Sequence, residues 1–94
     1  MDAQDWIGDV GAETRAVLEA LQRMLAVHGL SLDHVVRVDV HLADLDEITA
    51  MDAVYRGFFD PARLPARTCT ESPRLCGGCR VEITLLARLP GQGR

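Results

Sequence analysis

The sequence has no lysine; all ten of its basic residues are arginine. Aromatic residues are only 4% of the chain, so its core has to be aliphatic. No apolar run approaches the ~18–20 residues of a membrane-spanning helix, which excludes a transmembrane reading. The start, Met1-Asp2-Ala3-Gln4-Asp5, lacks the basic stretch of a secretory signal. Three cysteines, an odd number, suit a reducing compartment better than a disulfide framework. A cytoplasmic location is the expectation. The net charge of −4 argues against nucleic acid as a main partner, because that usually requires a basic stripe.

Ninety-four residues make one domain, 1–94, with an irregular stretch at 1–9 and a flexible Gly-rich tail at 90–94. A chain this long buries about 60–65% of its unfolded surface, enough for one thin core. Residues 10–28 carry Val17, Leu18, Leu21, Leu25 and His28 at helical spacing, with Glu13, Arg15, Glu19 and Arg23 placed elsewhere. Asp9 is a candidate cap, and Gly29 with Leu30 is a stop signal. Residues 34–42 alternate, with Val36, Val38, Val40 and Leu42 on one face and Arg37, Asp39 and His41 on the other. Asp44 and Glu47 form a capping-box pattern that opens a second helix to about Phe59. Leu45, Ile48, Tyr55, Phe58 and either Met51 or Ala50 face inward from it. Asp60-Pro61 ends it.

Two further strands, about 67–72 and 79–88, flank Gly77-Gly78, a hairpin-turn signal. The order helix, strand, helix, strand, strand gives an α+β class: a mixed sheet with two helices packed on one face. Three strands leave unpaired edges, so self-association is expected.

Val81, Ile83, Leu85 and Ala87 belong to the helix side of the last strand, which places Glu82 and Thr84 on the opposite face. Hairpin pairing at Gly77-Gly78 would bring Arg67, Cys69 and Glu71 to that same helix-free face. It would also set Arg67 opposite Arg88 and Glu82 opposite Pro73, six positions and roughly 20 Å apart. A site using both is then shared between subunits. Arginine grips a carboxylate through two parallel hydrogen bonds, and a glutamate can hold or activate a water. The pattern points to a small carboxylic acid ligand. The plainer alternative is a solvated face of mixed charge, whose exposed pairs contribute little.

From Gly11 to Ala87 the sequence resembles the Rid family, the RidA-type reactive intermediate deaminases also named for endoribonuclease L-PSP. The resemblance is carried by Ser31-Leu32-Asp33-His34-Val35-Val36-Arg37-Val38, His41-Leu42-Ala43-Asp44-Leu45, Met51-Asp52-Ala53-Val54-Tyr55 and Phe58-Phe59. It continues in Pro65-Ala66-Arg67-Thr68-Cys69 and in Leu75-Cys76-Gly77-Gly78 leading to Val81-Glu82-Ile83. The resemblance implies a chorismate-mutase-like subunit in a homotrimer, with helices outside, sheets in a central barrel and sites at subunit interfaces. It implies hydrolysis of reactive 2-enamine and 2-imino acids to 2-oxo acids and ammonia, with no cofactor. Arg67 would bind the substrate carboxylate, Glu82 would position the attacking water, and Cys69 would line the pocket. A non-catalytic Rid-like trimer that binds a small carboxylic metabolite is the alternative, and ribonuclease activity a weaker one.

Two departures accompany the likeness. The family's first two strands, with their Gly-Pro-Tyr-like and Ser/Thr-Gly-Gln segments, have no counterpart here, as in an N-terminally shortened member. Asp52 stands where the family usually has Asn, and Cys76 where it usually has Pro. The added charge of Asp52 opposes an anionic substrate if it lies at the pocket.

Cys76-Gly77-Gly78-Cys79 is half of a zinc-knuckle spacing, but no second pair accompanies it. Packed thiols are the main reading, and a redox-sensitive disulfide across the turn stays open. His34 and His41, seven apart, are a poor metal pair. No metal is expected.

Overall fold

The computed structural model describes residues 8–89. The expected irregular N-terminus lies mostly outside this range, and the expected tail lies wholly outside it. Helix α1 spans Val10–Val27. The Asp9 carboxylate caps it by accepting the Ala12 N–H at 3.1 Å. At its other end Gly29 has φ of 72° and Leu30 N–H returns to the Leu25 carbonyl at 2.9 Å. An L side chain is strained at that φ, so Gly29→Ala is expected to lower stability by about 1 kcal/mol, measurable by chemical denaturation.

Strand β1 (Val35–Leu42) is followed by a tight turn at Leu45–Glu47, helix α2 (Ile48–Tyr55) and strand β2 (Ala66–Glu71). β1 and β2 run parallel, so α2 is the crossover of a βαβ unit. Strand β3 (Val81–Ala87) pairs antiparallel with the other edge of β1, giving the order β2-β1-β3.

This topology corrects the hairpin. β2 and β3 are not neighbours; β1 lies between them. The segment with Gly77 and Gly78, at φ of 67° and 74°, turns the chain across the end of β1. Once the parallel crossover fixes β2 on one edge of β1, β3 takes the edge left open there.

The core joins both helices to one sheet face. Leu18 and Leu25 of α1 and Met51 and Tyr55 of α2 pack with Val38, Val40, Leu42, Val81 and Ile83. Met51, not Ala50, is the inward residue, and Leu45 is exposed. A register shift between Val35 and Arg37 bulges β1, burying Val35 and exposing Val36, against the simple alternation. The capping box at Asp44 does not close. Asp44 accepts the Asp46 N–H at 2.9 Å, and the Glu47 carboxylate pairs with Arg80 instead.

Glu13 is also inside, contrary to its expected position off the apolar stripe. It is 3% exposed and accepts main-chain N–H groups of Gly8, Arg80 and Val81 at 2.5, 2.7 and 3.3 Å. One carboxylate thus ties the start of α1 to the start of β3. Among the described residues no helix is long and apolar enough to cross a membrane, and no three His, Cys, Asp or Glu side chains converge as metal ligands.

Candidate active site

Register decides where each candidate residue points. Arg67 pairs with Val38 and Cys69 with Val40, both fully buried against the helices. Paired residues share a face. Arg67 and Cys69 therefore lie on the helix side, not on the helix-free face that the hairpin predicted. Glu71, opposite buried Leu42, is on that side too, and its carboxylate accepts the Leu45 N–H at 3.0 Å.

Glu82 pairs with His41 and is exposed on the helix-free face, as its alternation with Val81 and Ile83 predicts. Its neighbours there are hydrogen-bonded in pairs. Thr68 donates to Asp39 at 2.6 Å, Arg37 Nε donates to Asp39 at 3.2 Å, and His41 Nδ1 lies 2.7 Å from Thr70 Oγ1. The Thr68 bond is the main reason that the Asp39 carboxyl is held below the usual range. No ion pair within the described residues claims the Glu82 carboxylate.

Arg67 and Glu82 of one chain are thus kept apart twice over. They are on opposite faces of the sheet. They also sit on the two outer strands, two spacings of about 4.8 Å apart, and three positions apart along β1, about 10 Å.

The Arg67 side chain is held from two directions. Its guanidinium carbon lies 4.7 Å from the centre of the Tyr55 ring, a cation–π distance. Its Nη1 donates to Asp52 Oδ1 at 2.5 Å. Asp52 Oδ2 accepts from Arg56 Nε, also at 2.5 Å. Tyr55 and Asp52 come from the last turn and a half of α2, so a helical spacing of three places ring and carboxylate side by side. These residues, with Leu64 and Pro65, line an open recess of about 180 Å³.

Partial burial disfavours charge on Asp52, but its hydrogen bonds to Arg67 and Arg56 outweigh this and lower its pKa. Burial likewise opposes the Arg67 charge, and the Asp52 bond overcomes it, raising the pKa further. A carboxyl lowered on folding adds stability above its unfolded pKa, and that contribution is lost as pH falls through the folded pKa. The pair therefore persists across the neutral range. Burial raises the Tyr55 pKa, so the phenol stays neutral; its hydroxyl has no hydrogen-bond partner among the described residues.

Residues 3–89 match the family described as Endoribonuclease L-PSP. The chain belongs to the endoribonuclease L-PSP, or Rid, family. This Rid protein is 37% identical over 83 residues to a RutC family protein of Synechocystis, an alignment covering 88% of this chain and 64% of that one. It is 33% identical over 81 residues to a protein of Salmonella typhimurium named 2-iminobutanoate/2-iminopropanoate deaminase, covering 84% and 63%. Its fold superposes with a TM-score of 0.82 on a Rid-family crystal structure from Yersinia pestis, at 26% identity, covering 86% and 64%. The chain thus spans less than two thirds of the length of these relatives.

Arg67, Cys69 and Glu82 were all visible as candidates in the sequence. Its patterns did not assign Arg56, Leu64 and Pro65 to the recess. Arg56 is four residues from Asp52 on a helix, and that spacing was the available signal.

Proposed function

We propose that this Rid protein hydrolyses small 2-imino or 2-enamine acids to 2-oxo acids and ammonia, at sites shared between subunits of a homotrimer. The observation that carries the reading is the Arg67 guanidinium, fixed on Tyr55 and Asp52 at the mouth of a recess with apolar walls at Leu64 and Pro65. A cation beside a small apolar hollow suits a short acid. The likeness to a protein named as an imine deaminase supports the same choice.

In this scheme Arg67 grips the substrate carboxylate, whereas Cys69, expected to line the pocket, packs against the core and is not among the residues lining the recess. The iminium carbon is already electrophilic. Glu82 of a neighbouring subunit orients a water and accepts its proton as the oxygen–carbon bond forms. Glu82 returns that proton to the carbinolamine nitrogen; ammonia leaves as the C–N bond breaks, and the hydroxyl gives its proton to solvent and becomes the 2-oxo group. The protein's contribution is chiefly orientation, and no cofactor takes part in the scheme.

The separation of Arg67 from Glu82 within one chain favours a second reading in which a ligand binds without turnover. An unassembled chain would hold the acid at Arg67 and lack the glutamate. RNA cleavage gains no support from the site, because Tyr55 and Phe59 are buried and Phe58 packs against the core, leaving no open stacking platform among the described residues.

The test is ammonia release from imino acids generated in situ. Arg67→Ala is expected to lower kcat/KM by about tenfold to a hundredfold, the worth of a charge-assisted contact. Wild-type release no higher than that of Arg67→Ala would overturn the enzyme reading. Native mass spectrometry showing only monomer at micromolar concentration would overturn the shared site.

A further inference from the structure

Asp52 is not spare charge on the rim of the recess. Both of its oxygens are engaged, Oδ1 by Arg67 Nη1 and Oδ2 by Arg56 Nε. Two guanidiniums and one carboxylate leave one net positive charge around the hollow. A guanidinium has five N–H groups, and among the described residues only Asp52 accepts from Arg67. The remaining donors can still receive one carboxylate in the two-bond geometry that arginine favours. The second cation on the wall, Arg56, already donates its Nε to Asp52, and Tyr55, Leu64 and Pro65 add no further cation for a second carboxylate.

We propose that Asp52 is a specificity-determining residue: bridging Arg67 and Arg56, it makes the site accept monocarboxylates and discriminate against dicarboxylates. The proposal rests on Arg67 being the carboxylate-binding group. Asp52 acts in two ways. It holds Arg67 over Tyr55, and it sets a fixed negative charge beside the place where the ligand charge arrives. Repulsion from a fixed charge scales with the charge of the ligand. A factor of about threefold for a monoanion then becomes about tenfold for a dianion. The effect is constitutive and not a pH switch, since the two arginines keep Asp52 ionised throughout the neutral range.

Butanoate and succinate make a matched pair of probes, both of four carbons and differing by one carboxylate. Their affinities are measured by ligand-observed NMR titration near pH 7.5 for wild type, Asp52→Asn, Arg56→Ala and Arg67→Ala, with thermal melts confirming that each variant folds. Asparagine keeps an oxygen for Arg67 and removes the charge. Asp52→Asn is expected to tighten butanoate about threefold and succinate about tenfold. Arg56→Ala removes the compensating cation and is expected to weaken succinate more than butanoate, which tests the same claim through a different residue. Loss of butanoate binding in Arg67→Ala, with an unchanged butanoate-to-succinate ratio in both Asp52→Asn and Arg56→Ala, overturns this inference and leaves the carboxylate site standing. Binding in wild type that survives Arg67→Ala, or no binding by any of the proteins, overturns the carboxylate reading and this inference with it.

Discussion

Mixing Arg67→Ala chains with Glu82→Gln chains is expected to raise ammonia release well above that of either variant alone. Glu82→Gln keeps the side-chain size but cannot take a proton from water, a loss of about 10²–10⁴-fold in kcat. In the proposed trimer, refolded from equal amounts of the two variants, about one interface in four pairs an intact Arg67 with an intact Glu82. The expected recovery is therefore about a quarter of the wild-type rate. The experiment bears directly on the sheet topology. With β1 between β2 and β3, and the two side chains on opposite faces, one chain cannot supply both groups to one small substrate. A mixture as inactive as its parents would sink the shared site.

Glu13→Ala is expected to be the most damaging single substitution for stability among the polar residues. The carboxylate is almost wholly buried and accepts three main-chain N–H groups from two ends of the fold. Alanine would strand those donors. Unmet buried donors and hydrogen bonds to a charged group suggest a loss of about 2–4 kcal/mol. In a domain of this size that corresponds to a drop in Tm of roughly 10–25 °C. Glu13→Gln keeps one acceptor oxygen and should fall between alanine and wild type. Urea denaturation reads both, and a loss below about 0.5 kcal/mol for alanine would show that solvent replaces the carboxylate at little cost.

Helix α1 was legible because its signals are local. Asp9, Gly29 and the apolar spacing of α1 act within a turn or two, and the structure uses all three. Glu13 was misplaced although the information was present. Position 13, three residues after Val10 and four before Val17, lies at the edge of the stripe that carries Val10, Thr14 and Leu18, so spacing permitted its burial, while its charge suggested solvent. The parity of β3 was also readable, and it put Glu82 on the correct face.

What failed was long-range. Gly77-Gly78 has the composition of a hairpin turn, but composition does not say which strand pairs with which. That followed from the handed crossover of α2, which commits one edge of β1 to β2. Arg67 and Cys69 inherited the wrong face from the wrong partner. The bulge at Val36 was invisible for the same reason, since it exists only relative to β3. Asp52 showed as an extra negative charge, and only the structure brings it to Arg67 and Arg56 together.

The order β2-β1-β3 also governs how the chain reaches its fold. β1 gains its first neighbour through a local crossover, but its second arrives on the order of half the chain later, when residues 81–87 emerge. Until then the central strand of the finished sheet has one bare flank, and Glu13 has no Arg80 or Val81 to bind. Pairing this distant in sequence slows the search for the native state. A nascent chain in which β2 has formed and β3 has not therefore carries a βαβ unit with an open seam, the one that β3 closes.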